Sequence, residues 1–293
     1  MYPLHDKVVL ITGPARGIGE RTARLAAERG ARLALVGLEP DRLRALAGEL
    51  GDRHAAFDCD VTDQAAVDAA VTGALDTFGR IDVVIANAGI ANNGTVAVNP
   101  PDALARTVEV NLIGVIRTAA ATLPALTESR GYLLLISSVA AFTVMPGMAA
   151  YCAAKAGVEQ FGNALRLEVA HKGIAVGTAH PIWVDTDLVR DQQQDLSTFR
   201  EVLRKLPYPL STVVTVEKCA ESLVDGIERR RRRIYIPRAV AAVQALRTVF
   251  TGPIGTRIMS RPARRQVPKL EAEVLSLGRS FGTRSAGLGE DQL

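Results

Sequence analysis

Cysteine is scarce in this chain of 293 residues, which has three: Cys59, Cys152 and Cys219. They are widely spaced and match no metal-ligand pattern, and an odd number leaves one thiol over after any pairing. The sequence therefore predicts no metal site and no disulfide framework. Such cysteine usage is typical of a reducing compartment, so we predict a cytoplasmic location.

Long apolar runs are also lacking. No stretch of 18 or more apolar residues occurs, so the sequence predicts no membrane-spanning segment. The first residues, MYPLHDKVVLITG, enter an apolar strand pattern at once and lack the three regions of a signal peptide. A hydrophobic share of 48% and a charged share of 23% are ordinary for a globular protein.

Acidic residues are scarce in one part of the chain only. From Glu228 to the C-terminus, 14 Lys and Arg stand against 5 Asp and Glu, whereas 21 stand against 26 in the residues before it. A mildly acidic body therefore carries a strongly basic C-terminal segment. Five successive arginines at 229–233 are not accompanied by a recognition motif or by interleaved aromatic residues, so we predict no nucleic-acid partner.

Short apolar runs alternate regularly with segments of helical period. Seven of these runs predict β-strands, at residues 7–12, 31–37, 54–58, 81–87, 132–138, 174–180 and 233–237. Most are apolar throughout, as expected of strands covered on both faces. Helical segments such as 19–30 and 63–79 lie between them.

Repeated strand–helix–strand units imply right-handed crossovers. We therefore predict an α/β fold, doubly wound around a seven-stranded parallel sheet. This domain covers residues 1–237. The alternation then stops, and residues 238–293 are predicted to form a basic, helical C-terminal extension in which 239–250 is an apolar helix.

A glycine-rich loop, ITGPARGIGE, follows the first strand and opens the first helix. Gly13, Gly17 and Gly19 lie where the backbone must turn tightly and approach a phosphate, and a helix N-terminus offers free N–H groups to that anion. The spacing is G-x-x-x-G-x-G. Because any tight turn from a strand into a helix favours glycine, the loop alone leaves a purely structural role open.

A tyrosine and a lysine stand four residues apart in AAYCAAK, residues 149–155. On a helix, Tyr151 and Lys155 would lie on the same face one turn apart. A phenol has a pKa of about 10 and is a poor base at neutral pH, but a fixed ammonium nearby lowers that pKa. The pair is therefore either a surface contact or a device for proton transfer.

Four motifs in this order and spacing are similar to those of the short-chain dehydrogenase/reductase family in its single-domain form. They are Thr12-Gly13-x-x-x-Gly17-Ile18-Gly19, Asn87-Ala88-Gly89, Ser138 and Tyr151-x-x-x-Lys155. The similarity extends from about residue 5 to residue 237. It implies a Rossmann-type fold and an NAD(P)-dependent oxidoreductase that acts on a secondary alcohol or a ketone.

The resemblance implies a catalytic group of Asn111, Ser138, Tyr151 and Lys155. Tyr151 would pass a proton to the substrate carbonyl oxygen or take one from the alcohol. Lys155 would support it and hold the nicotinamide ribose hydroxyls, and Ser138 would orient the substrate oxygen. Asn111 would hold a water that links the lysine to solvent, although a lone helical asparagine is more often a structural hydrogen bonder.

The resemblance also implies a set of cofactor contacts. The predicted residues are Gly13, Arg16, Gly17, Ile18, Gly19, Asp60, Val61, Asn87, Ala88, Gly89, Tyr151, Lys155, Pro181, Val184 and Thr186. Asp60 would bind the adenine amino group, and the last three residues would flank the nicotinamide. Ile182 stands where the family usually has a glycine, so we expect strain there if the position needs a positive φ.

NADP is favoured over NAD as the cofactor, with NAD possible. Gly37, at the end of the second strand, provides no carboxylate to bind the adenosine hydroxyls, and Arg16 offers a base to a 2′-phosphate. Glu39 and Leu38 argue in the other direction, since one is acidic and the other replaces a residue that is often basic in NADP users.

The substrate is expected to be an apolar alcohol or ketone of lipid, steroid or terpenoid type, covered by segment 187–215. The resemblance implies a homodimer or homotetramer. The C-terminal extension would bury its apolar helix against its own domain, against a dimer partner, or on an anionic membrane surface. Two other functions stay open: a non-catalytic nucleotide-binding scaffold or sensor, and an epimerase or dehydratase that uses the same dinucleotide.

Overall fold

The computed structural model describes residues 2–282 of the chain. Nine strands occur among these described residues: β1 Val8–Thr12, β2 Arg32–Gly37, β3 His54–Asp58, β4 Val83–Ala86, β5 Tyr132–Ile136, β6 Ala175–Pro181, β7 Trp183–Val184, β8 Val213–Val214 and β9 Arg233–Ile236. Seven of them form one parallel sheet in the order β3-β2-β1-β4-β5-β6-β9, and the two-residue strands β7 and β8 pair separately. The predicted seven-stranded parallel sheet is confirmed.

The helices that connect these strands are α1 Gly17–Glu28, α2 Pro40–Leu50, α3 Gln64–Phe78, α4 Pro101–Val108, α5 Gly114–Ser129, α6 Ala149–Glu168, α7 Asp187–Asp195, α8 Ser197–Lys205 and α9 Val216–Glu228. They cover both faces of the sheet. Along β1, Val9 and Ile11 pack into the cluster that contains α1, α2 and α9, whereas Val8 and Leu10 pack into the cluster of α3, α5 and α6. Alternate side chains of a strand point to opposite faces, so an unbroken apolar run suits a strand covered on both sides.

The direction in which successive strands extend the sheet reverses between β1 and β4. From β1 the sheet grows through β2 to β3 in one direction, and from β4 through β5 and β6 to β9 in the other. Loops that leave the carboxyl ends of β1 and β4 therefore diverge and leave a crevice between them. In open α/β sheets this is where ligands bind.

The longest apolar helical run is interrupted in its middle. α4 continues through a π-helical turn, Glu109–Ile113, into α5. The run Pro101–Ser129 is the one helix among the described residues that is long and apolar enough to cross a membrane by length and composition. Half of its most apolar window is buried inside the fold, as in the core helix of a globular domain. A π-helical turn often marks a functional position.

The C-terminal extension is helical, as predicted. It forms α10 Val240–Ala245, α11 Arg247–Thr251 and α12 Pro253–Leu277. The predicted single helix over 239–250 is wrong, because the chain breaks it at Leu246 into α10 and α11. Residues 283–293 of the predicted extension lie outside the described residues.

The extension is fastened to the domain at several points. Val240 and Val243 are buried in the core cluster on the α9 side of the sheet. At the far end of α12, the Glu273 carboxylate accepts hydrogen bonds from the Thr198 hydroxyl, at 2.6 Å, and from its backbone N–H, at 3.2 Å. Arg279 donates to Asp195 at 2.7 Å. α12 and the residues that follow it therefore lie across the segment that contains α7 and α8.

Candidate active site

The glycine loop between β1 and α1 is built for close approach. Gly13 has a φ of +66°, and a Cβ at Gly19 would lie 2.3 Å from the Gly13 carbonyl oxygen. No side chain caps the N-terminus of α1, whose cap residue is Arg16. The Asn87 amide at the end of β4 donates to the carbonyl oxygens of Thr12 and Gly13, both at 3.0 Å, and so fixes the loop.

A pair of opposite charges closes the far end of this crevice. The Arg16 guanidinium forms a two-point contact with the Glu39 carboxylate, in which Nε donates to Oε2 at 3.2 Å and Nη2 contacts Oε1. Arg42 lies on the same carboxylate, with Nε 3.5 Å from Oε1. Both an acid and a base therefore lie beside Gly37, where the sequence predicts selection between NAD and NADP.

Asp60 is held by its own neighbours. One carboxylate oxygen accepts from the Thr62 backbone N–H at 2.8 Å and from its hydroxyl at 2.7 Å, and the other accepts from Arg106 at 3.1 Å. Burial raises the pKa of Asp60, but these hydrogen bonds and the Arg106 charge outweigh it, so that pKa lies below its usual value. The carboxylate is therefore ionised and rigid at the rim of the crevice.

Tyr151 and Lys155 lie one turn apart on α6, as the sequence predicts. The Lys155 Nζ lies 5.6 Å from the centre of the Tyr151 ring and donates to the Ile136 carbonyl oxygen at 2.9 Å. Burial raises the pKa of Tyr151 to about 12, and its hydrogen bond with Ser138 acts in the opposite direction. Burial lowers the pKa of Lys155 to about 8.

Ser138 faces the phenol from the end of β5. Its backbone is extended, and its hydroxyl accepts from the Ala140 N–H at 3.2 Å and donates to the Pro181 carbonyl at 3.4 Å. Beside it, the buried His180 ring has Nδ1 3.4 Å from the Ser138 carbonyl oxygen. Sequence reasoning did not single out this histidine, because strand spacing alone does not show that its ring supports the serine.

Ser137 also has a role that the sequence reasoning missed. Its hydroxyl donates to the Lys155 carbonyl oxygen at 2.8 Å and so ties β5 to α6 on the side opposite to Ser138. The strain considered at Ile182 does not occur, because Ile182 is not among the described residues with a positive φ. Its N–H instead donates to the Ile236 carbonyl oxygen at 2.9 Å.

Asn111 lies in the π-helical turn and is fully buried. Its amide nitrogen donates to the carbonyl oxygens of Ile90 and Thr107, both at 2.7 Å, whereas its Oδ1 accepts no hydrogen bond from the described residues. A Cβ at Gly89 would lie 2.6 Å from that Oδ1 and 3.6 Å from the Lys155 Nζ. The amide oxygen therefore lies near the lysine and can accept a hydrogen bond from a further group.

One cavity brings all of the predicted site residues together. Its lining includes Gly13, Arg16, Gly17, Ile18, Gly19, Asp60, Val61, Asn87, Ala88, Gly89, Asn111, Ser138, Tyr151, Lys155, Pro181, Val184 and Thr186. This lining fits a nicotinamide dinucleotide in three respects. A Cβ would fill the space beside the glycine loop, the N-terminus of α1 has no side-chain cap, and the Asn111 Oδ1 is free to accept a hydrogen bond. The pyrophosphate of the dinucleotide would lie at the N-terminus of α1.

A second cavity adjoins the first and is almost entirely apolar. Val139 and Trp183 line it, each next in sequence to a residue that lines the first cavity. α8 and α12 complete its wall. The described residues around it include no Asp, Glu, Lys or Arg, and its polar side chains are Asn93, Thr143, Gln192, Thr198 and Gln266.

Comparison with known proteins identifies the family. The chain matches the short chain dehydrogenase family over residues 7–197. An uncharacterized oxidoreductase from Staphylococcus saprophyticus is 36% identical over 205 residues, which cover 67% of this chain and 83% of that protein. A 3-oxoacyl-[acyl-carrier-protein] reductase from Bos taurus is 36% identical over 193 residues, 65% of this chain and 81% of that protein.

A solved structure shows the same architecture. The crystal structure of a 3-ketoacyl-(acyl-carrier-protein) reductase from Brucella melitensis, complexed with NADH, has a TM-score of 0.71 at 28% identity and covers 80% of this chain and 97% of its own. Fold, cavity and sequence agree. This chain belongs to the short-chain dehydrogenase family and is an NAD(P)-dependent oxidoreductase.

Proposed function

We propose that this protein transfers hydride between NAD(P) and the secondary alcohol or ketone of a bulky, uncharged and apolar substrate. The observation that carries the proposal is the second cavity, which adjoins Ser138 and is lined by no charged side chain among the described residues. Burying a charged substrate there would cost its hydration without providing a partner. A lipid-, steroid- or terpenoid-like ketone needs no such partner.

The catalytic residues act on the substrate oxygen. When bound, the nicotinamide gives or accepts the hydride. The Ser138 hydroxyl holds and polarises the substrate carbonyl oxygen, and the Tyr151 phenol delivers the proton to it. Because burial keeps Tyr151 protonated at neutral pH, the phenol is ready to act as the acid in reduction. In oxidation it must first lose its proton, a loss that the positive charge of Lys155 favours.

Lys155 supplies a positive charge beside Tyr151, and Asn111 supports the exchange of protons between that lysine and solvent. The Lys155 ammonium is positioned by the Ile136 carbonyl and would hold the ribose hydroxyls of the cofactor. The free Oδ1 of Asn111 lies beside it and would accept from a water that carries protons between the lysine and solvent. Asn111 lies in the π-helical turn, a form of helix that is frequent at functional sites, and it lines the first cavity.

The buried side-chain amides of Asn93 and Gln192 indicate a further feature of the substrate. Both polar side-chain atoms of Asn93, which is 2% exposed, and the Oε1 of Gln192, which is 4% exposed, have no hydrogen-bond partner among the described residues. Both residues line the apolar cavity. An unsatisfied buried amide costs about 1–3 kcal/mol. We infer that the substrate carries a second neutral polar group, a hydroxyl or carbonyl, which these amides bind.

The preference for NADP stays a prediction, and Arg16 is the residue that supports it. Its guanidinium would bind a 2′-phosphate, whereas Glu39 would repel the phosphate and accept from the free 2′-hydroxyl of NAD. The Arg16–Glu39 contact makes the two effects interdependent. A homodimer or homotetramer and a cytoplasmic location also stay predictions, which sedimentation of the purified chain and fractionation of cells would measure.

The experiment is a panel of ketones and alcohols with both cofactors, followed at the nicotinamide absorbance band. We expect turnover of apolar ketones and none of charged ketones of the same size. Tyr151→Phe should abolish turnover and leave cofactor affinity intact, whereas Lys155→Ala should damage both. Cofactor binding without turnover of any member of the panel would favour the scaffold or sensor instead, and exchange of configuration without net redox change would favour the epimerase.

A further inference from the structure

The start of α12 leaves large apolar side chains on the protein surface. Ile254 is 64% exposed and Ile258 is 66% exposed. Val249, in the preceding helix α11, is 45% exposed. An apolar side chain that stands alone on a surface needs no explanation, but several that lie together mark a contact with another apolar phase.

A stripe of positive charge continues from these apolar residues. Arg261 and Arg265 follow Ile254 at seven and eleven residues, so helical geometry places all three on the same side of α12. Arg257 and Arg264 flank that side. These four arginines form no ion pair with any acidic residue in the part of the chain that the structure describes.

The sequence around the stripe contains no compensating negative charge. Between residues 229 and 270 there are 12 Arg and Lys and no Asp or Glu. Arg247 in α11 reaches a carboxylate outside this segment, Glu159 of α6, at 3.7 Å. The side of α12 that carries the four arginines is therefore a cationic surface without an internal partner among the described residues.

This surface adjoins the entrance to the apolar cavity. Val249 and Ile258 both line that cavity and are both exposed, so they form its rim. Val144, which is also exposed, lines the rim from the loop that precedes α6. Apolar side chains thus continue from the protein surface into the apolar cavity.

We propose that Val249, Ile254, Ile258 and the four arginines form a docking face for the anionic surface of a lipid bilayer. The apolar side chains would enter the boundary between headgroups and acyl chains, and the guanidinium groups would bind the anionic headgroups above it. The positive charge of the four arginines favours an anionic bilayer over a second copy of the chain as the partner of this face. In a two-fold contact the face would meet itself, and its arginines would repel.

The docking face also gives the site a source of substrate. An apolar ketone dissolved in the bilayer would reach the cavity through the rim formed by Val249 and Ile258. This step rests on the proposed function, whereas the docking itself does not. Membrane binding can therefore be measured without turnover, and the two proposals can fail separately.

The test is co-sedimentation of the full-length protein with vesicles. We expect binding to vesicles of equal phosphatidylcholine and phosphatidylserine, little binding to pure phosphatidylcholine, and release at high salt. Arg261→Gln together with Arg265→Gln should weaken binding about 25-fold, since each basic residue near an anionic surface contributes about fivefold. The matched control is Arg229→Gln with Arg232→Gln, which removes the same charge from exposed positions beyond α9.

Two outcomes would overturn the proposal. The first is equal loss of binding in the two arginine variants, which would show general charge attraction instead of a docking face. The second would be seen in the double variant Ile254→Ser with Ile258→Ser. We expect this variant to bind vesicles more weakly at every salt concentration and to keep the molecular mass of the parent in sedimentation equilibrium. If that variant instead dissociates an oligomer, the face is a contact between copies of the chain.

Discussion

Burial acts in opposite directions on the proton affinities of the catalytic tyrosine and lysine. It raises the pKa of Tyr151 to about 12 and lowers that of Lys155 to about 8, because each group loses water that would stabilise its charged form. At neutral pH the pair is therefore a protonated phenol beside an ammonium. Small changes of pH alter the lysine long before they alter the tyrosine.

This difference predicts the pH dependence of reduction. The value of kcat/KM for the reduced cofactor reports the free protein, so it should fall as pH rises through about 8, where Lys155 loses its charge. Tyr151 should cause no decrease in that range, because it stays protonated. The measurement is a profile from about pH 6 to about pH 10. The residual activity of Lys155→Arg, whose guanidinium stays charged, should lack the decrease; the same decrease in that variant would contradict the assignment.

Glu39 provides a second prediction at the residue scale. Its carboxylate lies on Arg16 and repels a 2′-phosphate, so Glu39→Gln should raise the ratio of kcat/KM for NADP to that for NAD by roughly tenfold, a change of about 1.4 kcal/mol. Arg16→Ala should lower the same ratio. The control is Asp41→Asn, which removes an exposed carboxylate two residues away, on Arg44. An equal change in the control, or none in Glu39→Gln, would refute the role given to this ion pair.

At the scale of elements, a buried aromatic side chain just beyond α12 adds to the polar contacts of Glu273 and Arg279 that hold its far end. Phe281 is fully buried in a cluster with Val61, Ile90, Ala103 and Val110, beside the loop that follows β4. Its neighbour Ser280 accepts a hydrogen bond from the Asn93 N–H at 2.7 Å. Phe281 therefore packs on residues that line the first cavity, and Ser280 contacts Asn93 of the apolar cavity, although both lie more than 40 residues beyond the last strand of the sheet.

Phe281→Ala should release the part of the extension around Phe281. Truncating a buried phenylalanine costs about 3–5 kcal/mol, and a terminal element converts that cost into local opening instead of global unfolding. Trypsin should then cleave the arginine-rich helix α12 on the order of 100-fold faster. Leu275→Ala, which truncates an exposed leucine of the same helix, is the matched control. Cleavage at the parent rate in Phe281→Ala would show that other contacts hold the helix.

Elements were predictable from the sequence where local signals and tertiary packing agree. The strands are short apolar runs between turn-forming residues, and their alternation with helices predicts the parallel, doubly wound sheet. The extension was predicted to be helical, but the bounds of α12 were not predicted, because Pro262 and Pro268 lie inside it and each removes a backbone donor. Its inner side packs on the apolar cavity, and that contact cannot be seen in a local window of sequence.

At the scale of the whole molecule, the candidate site also has one part that the sequence predicts and one part that depends on tertiary contacts. Predicted residues from seven separate segments meet in one cavity, since the family pattern encodes their relation. The amide of Asn93 and the support of Ser138 by His180 could not be predicted. They depend on which side chains meet across loops, and no spacing in the sequence records that.

His180 connects the active site to the stability of the entire fold. Its ring is buried between Phe142 and Tyr235, with Nε2 3.1 Å from the Thr178 hydroxyl. Burial and the Arg233 charge lower its pKa to about 4, while the contact with the Ser138 carbonyl acts in the opposite direction. Between about pH 6.5 and pH 4, the unfolded chain therefore binds a proton that the folded protein does not.

Stability should accordingly fall as the solution becomes acidic. From about pH 7.5 to about pH 5, this histidine should remove about 2 kcal/mol from the free energy of unfolding. Urea unfolding at the two pH values measures the loss, and His180→Gln, whose side chain does not titrate, should show a loss smaller by that amount. His171→Gln, at an exposed position, should behave like the parent. Equal losses in the parent and in His180→Gln would mean that the folded protein accepts the proton on His180 without penalty.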